Sequence, residues 1–183
     1  MFDLTPAHRT TLLALARQSI SSVLDGRAPE WNAGDLDEVL RQPAGVFVTL
    51  RTKEGDLRGC IGSIRASEML YKAVVTSAIS AAFRDPRFEP LRPGELEQLD
   101  LEISVMGPIE PVTDFETIEV GRDGLIISRG RYAGLLLPQV ATEYGWDRET
   151  FLDQTCLKAG LPRGAWRAAD CLVEKFSAIV FGE

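Results

Sequence analysis

The chain has 183 residues, 45% of them hydrophobic and 26% charged, and a net charge of −7. This length suits a single domain over residues 1–183, or one with a small lobe, and buries a core without disulfides or structural metals. The acidic balance disfavours non-specific contact with phosphate backbones or anionic membranes.

Three scattered cysteines, Cys60, Cys156 and Cys171, form no C-x-x-C pair. That argues against a thiolate zinc site and against a radical-SAM cluster, and for reduced thiols in a cytosol. The chain does not open on a basic segment followed by a long apolar run. Its apolar runs, such as Leu135-Leu136-Leu137, are too short to span a bilayer. The expected location is cytoplasmic, with no metal or cofactor.

Thr5-Pro6 reads as an N-cap followed by proline at the first helical position. Leu12, Leu13, Ala16, Ile20, Val23 and Leu24 follow at helical spacing, and Gly26 is the stop. Residues 27–43 read as loop, with a short helix at Asp35–Arg41. Gly45–Arg51 and Leu57–Ile64 read as a hairpin around Lys53-Glu54-Gly55-Asp56. Ser67 is the expected cap of a helix from Glu68 to Phe83 or Arg84, ended by Pro86.

Leu99, Leu101, Ile103 and Val105 alternate with polar or flexible residues, the pattern of a half-buried strand broken by Pro108 and Pro111. Gly124–Ser128 and Tyr132–Leu137 are further strands. Pro138 opens a helix over Gln139–Tyr144. Asp147 caps another, with Phe151, Leu152, Thr155 and Cys156 facing inward and Gly160 after its end. Leu172–Phe181 is a last strand, with Cys171 at its start. Strands outnumber helices without strict alternation, so the expected class is α+β: a largely antiparallel sheet flanked by helices.

Leu57-Arg58-Gly59-Cys60-Ile61-Gly62 is the most unusual run. Glycine weakens a strand and marks a bulge or a close approach to the backbone. Strict alternation places Arg58, Cys60, Gly62 and Ile64 on one face, with Arg58 about 6.6 Å from Cys60 along the strand. Gly62 then leaves open volume beside the sulfur. A nearby cation favours thiolate, so the pattern suits a reactive cysteine. A small buried hydrophobe is the alternative for Cys60.

The hexapeptide resembles the signature of the AMMECR-one domain family. The likeness continues in Asp85-Pro86-Arg87-Phe88, in Leu101-Glu102-Ile103-Ser104-Val105 and in Gly134-Leu135-Leu136-Leu137-Pro138-Gln139-Val140-Ala141. Trp146, Phe151-Leu152, Cys156, Lys158-Ala159-Gly160-Leu161 and Trp166 complete it. The bacterial branch resembles the A component of the AmmeMemoRadiSam system, encoded beside a Memo-like protein and a radical-SAM protein. The resemblance implies an α+β fold with a larger and a smaller lobe, a cleft near the hexapeptide and those two proteins as partners. It implies no established reaction.

Cys60 is the expected catalytic residue, with Arg58 as its cation or as half of a structural ion pair. Glu102, on the polar face of its strand, reads as proton acceptor, as partner of Arg58, or as a solvent-facing residue. Gly59 and Gly62 are expected to line a binding surface. Asp85 and Arg87 are binding candidates, with a local Asx turn as the alternative for Asp85. Gln139 sits at a helix start suited to an anion or to a plain turn. The single histidine, His8, lies in the first turn of the N-terminal helix and reads as solvated, so a Cys–His dyad is not expected. Cys156 and Cys171 read as core.

Three functions follow as expectations. The first is a cysteine-dependent enzyme or enzyme component. The second is a non-catalytic partner or scaffold for the radical-SAM or Memo-like protein. The third, RNA binding or modification, is disfavoured by the charge and by the absence of a nucleic-acid module.

Overall fold

The computed structural model describes residues 3–29, 31, 34 and 36–183. The described strands are β1 (Pro43–Thr52), β2 (Leu57–Met69), β3 (Leu99–Pro111), β4 (Asp123–Arg129), β5 (Tyr132–Leu136) and β6 (Leu172–Gly182), in the sheet order β2-β1-β3-β6-β4-β5, and the chain divides into two compact units. The larger comprises Phe2–Met106 with Ile179–Glu183, and the smaller Gly107–Ala178. The class is α+β with antiparallel pairing, as the strand pattern implied.

In the larger unit, α1 spans Pro6–Leu24. Thr5 Oγ1 accepts from the His8 N–H, and the Thr5 N–H donates to His8 Nδ1, which closes a capping box. His8 Nε2 also lies 3.3 Å from Asp37 Oδ2, so the imidazole is not the free surface group expected. The short helix proposed at Asp35–Arg41 is a 3-10 turn at Glu38–Arg41, and Asp35 itself falls outside the described residues.

Strand β1 spans Pro43–Thr52 and β2 spans Leu57–Met69. The helix expected from Glu68 instead begins at Leu70: α2 spans Leu70–Phe83, and Ser67 does not cap it. Two pairings hold the extra strand residues, Ala44 with Glu68 and Pro43 with Met69, and the Leu70 N–H donates to the Gln42 carbonyl at 2.8 Å. Tertiary pairing overrides the local cap signal.

Strand β3 spans Leu99–Pro111. Leu99, Leu101, Ile103 and Val105 are buried together with Val46, Val48 and Leu50 of β1 and Leu70, Val74 and Ala78 of α2. Each buried Val, Leu or Ile among them contributes roughly 1.5–3 kcal/mol. The opposite face of β3 is less exposed than its pattern suggested, since Ser104 and Met106 are also buried. Pro108 does not break the strand, which ends at Pro111. Pairing with β1 ends at Val105, so beyond it one side of β3 needs no donor for that ladder.

In the smaller unit, β4 (Asp123–Arg129) pairs with β5 (Tyr132–Leu136) and with β6, which spans Leu172–Gly182. Two helices follow β5, α3 at Pro138–Glu143 and α4 at Arg148–Lys158. Asp147 caps α4 by accepting from the Thr150 N–H at 2.8 Å. Phe151, Leu152, Thr155 and Cys156 are buried as expected. Cys171 precedes β6 and packs, partly buried, against this second core. Burial raises the Cys156 and Cys171 thiols, which suits inert core residues.

Candidate functional site

The hexapeptide lies on β2, the terminal strand of the order given above, and its register on β1 decides where Cys60 points. Arg51 pairs with Leu57, but Leu50 pairs with Gly59, so Arg58 is the extra residue of a bulge. Past the bulge, Thr49 faces Cys60 and Phe47 faces Gly62. On the other side of β1, Thr49 faces Glu102. Cys60, Thr49 and Glu102 therefore form one row across three strands. The residues between them in sequence, Leu50, Gly59 and Ile61, turn to the opposite face, which α2 covers.

The two glycines answer to packing. A Cβ at Gly59 would stand 2.3 Å from the Ala81 carbonyl oxygen, so this glycine lets α2 touch the strand. A Cβ at Gly62 would stand 2.1 Å from the Val46 oxygen and 2.7 Å from Phe47 Cγ. The space beside Gly62 is thus taken by the Phe47 ring, not left open next to the sulfur as expected.

Cys60 is partly exposed, and Thr49 Oγ1 donates to its Sγ at 3.3 Å. Its main chain is clamped from the free edge of β2. The Cys60 N–H donates to Asp85 Oδ2 at 2.9 Å, and Arg87 Nη2 donates to the Cys60 carbonyl at 3.2 Å. Asp85 also accepts from the Arg87 N–H at 3.1 Å, from Nε at 2.9 Å and from Nη2 at 2.7 Å. At this one residue, a carboxylate and a guanidinium satisfy the edge groups that a neighbouring strand would otherwise satisfy.

The local turn expected of Asp85 is present in its bond to the Arg87 N–H, and its reach to Cys60 adds a long-range role. Its side chain is 1% exposed. The hydrogen bonds from the Arg87 guanidinium, against the opposing effect of burial, hold its carboxyl well below the usual carboxylate range. Arg87 is raised in turn, first by its bonds to Asp85 and then by that carboxylate's charge, against the opposing effect of burial.

Arg58 does not stand beside the sulfur. The bulge turns it to Glu95, whose Oε1 accepts from Nε at 2.7 Å, and to the Glu89 carbonyl, which accepts from Nη2 at 2.9 Å. Its guanidinium lies 5.9 Å from the centre of the Phe88 ring, and Arg87 lies 5.5 Å from the same ring. Of the two readings, the ion pair describes Arg58. Burial would raise Glu95, but the Arg58 bond and the Arg92 N–H outweigh it and lower its carboxyl. Arg58 Nη1 is buried with no hydrogen-bond partner among the described residues.

Glu102 is partly exposed and makes no side-chain hydrogen bond or ion pair among the described residues, so it is not the partner of Arg58. Two strand spacings, about 9.6 Å, separate its main chain from that of Cys60. Gln139 belongs to the smaller unit, at the second position of α3, where its Oε1 is buried with no hydrogen-bond partner among the described residues. Sequence reasoning missed Thr49 and Glu95. The signal for Thr49 was a hydroxyl facing opposite to the apolar Val48 and Leu50, but its pairing with Cys60 required knowledge of the bulge. Glu95 falls between the helix ended by Pro86 and the strand from Leu99, outside every element and motif read from the sequence.

No described helix is long and apolar enough to cross a membrane. A family model described as AMMECR1 matches residues 13–181. A relative from Methanothermobacter thermautotrophicus is 48% identical over 179 residues, covering 94% of this chain and 93% of its own. Another, from Thermococcus gammatolerans, is 46% identical over 182 residues, covering 94% and 88%. A crystal structure of an uncharacterized protein from Pyrococcus horikoshii matches with a TM-score of 0.86 at 43% identity, covering 94% of this chain and 90% of that one. The names of these relatives state no activity. With a family model spanning nearly the whole chain and close relatives of matching length, this protein belongs to the AMMECR1 family.

Proposed function

We propose that Cys60 is the reactive group of a cysteine-dependent enzyme or enzyme component, and that Arg87, not Arg58, supplies its cation. The observation that carries this reading is a partly exposed cysteine whose sulfur accepts a hydrogen bond from Thr49 and whose N–H and carbonyl are both fixed by the Asp85–Arg87 pair. A hydroxyl donor and a nearby guanidinium both favour thiolate, the nucleophilic form.

The Arg87 side chain is 53% exposed, and its Nη1 makes no hydrogen bond among the described residues, which leaves one edge for an anionic substrate group. Glu102 makes no bond to Sγ, and its role in this reading is proton transfer with a bound substrate on the same face. Asp85 acts through Arg87 and the Cys60 main chain and is a positioning residue.

The test is alkylation of Cys60 by iodoacetamide across pH. We expect Cys60 to react well ahead of Cys171 near neutrality, and that lead to shrink in Arg87→Ala. Equal rates at the two cysteines remove thiolate chemistry from consideration. A second reading, a docking protein for a radical-SAM or Memo-like partner, is favoured by exposure along the terminal strand β2, at Ser63 and from Arg65 to Met69. If a Cys60→Ser protein still captures such a partner and complements a deletion, docking replaces catalysis as the function.

A further inference from the structure

The helix–strand contact that Gly59 permits does not continue along β2. Where α2 and β2 meet at Gly59 and Ala81, there is no room for a methyl group. Further on, β2 departs from regular pairing: Val46 pairs with Ser63, but Ala44 pairs with Glu68. Ile64 to Ser67 form the excursion. Between this stretch and the Ala73, Thr76, Ser77 and Ser80 stripe of α2 lies a cleft of about 320 Å³. The stripe has helical spacing, so all four residues face the same way. The volume falls at the small end of ligand sites.

The cleft lies on the α2 side of the sheet, with Ile61 and Ser63, and is distinct from the Cys60 row on the other face. Val46, Ile61 and Ala73 give it an apolar floor. Ser77 is 8% exposed, lines the cleft, and makes no side-chain hydrogen bond among the described residues. A hydroxyl left unbonded at a cavity wall, on a residue otherwise buried, suits a polar occupant. Thr76, Ser80 and Ser67 add hydroxyls without side-chain partners among the described residues.

Two opposite charges line the same cleft, Arg65 and Glu68, and neither forms an ion pair among the described residues. Ser63 Oγ accepts from the Arg65 N–H and donates to the Arg65 carbonyl, both at 3.2 Å, which fixes the backbone that carries the cation. An anion alone would meet Glu68, and a dianion such as phosphate would meet it more strongly. A cation alone would meet Arg65. We propose that this cleft binds a small zwitterion of the amino-acid class, with its carboxylate at Arg65, its ammonium at Glu68 and its body over Val46 and Ile61 beside the Ser77 hydroxyl.

Amide chemical shifts of the full-length protein, titrated with L-valine and with L-serine, test this. We expect saturable shifts confined to residues 61–68 and 73–80 with at least one of the two. Isovalerate and isobutylamine, which each lack one charge, should bind at least tenfold more weakly than L-valine. Arg65→Ala and Glu68→Gln, both at exposed positions, should each weaken binding at least tenfold, and Ala73→Leu should abolish it by filling the cleft. Cys60→Ser should bind as the parent does, which separates this site from the proposed thiol chemistry. The inference is overturned by no saturable shift with either amino acid, by equal or tighter binding of inorganic phosphate or glycerol at the same amides, or by unchanged binding in both charge variants.

Discussion

Replacing Asp85 with asparagine isolates the clamp on Cys60. The carboxylate accepts four hydrogen bonds, two at each oxygen: from the Arg87 N–H and Nε at Oδ1, and from the Cys60 N–H and Arg87 Nη2 at Oδ2. Asparagine keeps one acceptor oxygen and turns an NH₂ group toward two donors. Two charge-assisted bonds are lost and two donors face a donor, inside a site whose carboxylate is 1% exposed. Such bonds contribute about 1.5–3 kcal/mol each, partly recovered by water at Arg87, so the expected loss is roughly 2–4 kcal/mol.

For a chain of this length that corresponds to a fall of roughly 4–16 °C in melting temperature. Urea denaturation gives the same quantity from the midpoint at unchanged slope. The pH dependence fixes the sign independently. Asp85 has a folded value depressed below its unfolded value of 3.8, so the unfolded chain binds the proton first as pH falls. The stability difference between parent and Asp85→Asn should be complete above about pH 5 and shrink as pH drops below the unfolded value. A difference under about 0.5 kcal/mol at neutral pH, the ordinary scatter of surface substitutions, would refute the argument. So would a difference that does not change on acidification.

Three further outcomes follow from the same geometry. Alkylation of Cys60 near neutral pH should slow about fivefold in Arg87→Ala, a screened pair effect of ~1 kcal/mol, and stay within about twofold in Arg58→Ala; the reverse order would restore Arg58 as the cation. Thr49→Val removes the hydroxyl donor 3.3 Å from the sulfur and should slow the same reaction about fivefold, with little change in the melting curve. Gly59→Ala and Gly62→Ala each drive a methyl group into backbone and should lower stability by about 1–3 kcal/mol or more in urea titrations, whatever happens at Cys60.

Local structure was largely legible because its signals are local. The Thr5-Pro6 start, the Asp147 cap and the Leu99-to-Val105 alternation each specify an element within a few residues. The failures share one cause, which is long-range pairing. Ser67 looked like a cap, but Pro43 and Ala44 hold the chain extended, and Pro108 looked like a breaker, but the β1 ladder ends before it.

The site divides the same way. The hexapeptide marked Cys60 as unusual, and the glycines marked two close approaches, so residue types alone fixed where to look. They did not fix what stands beside the sulfur. Carried back from the Arg51–Leu57 pair without a bulge, the register would set Gly59 against Thr49 and turn Cys60 toward the α2 face. One inserted residue, Arg58, moves every later side chain of β2 to the other face and sends its own guanidinium to Glu95. Composition and periodicity determine which segments become strands and helices, because propensity and burial act residue by residue. Only the paired sheet decides which side of a strand meets which neighbour, because that depends on a register summed over residues far apart in the chain.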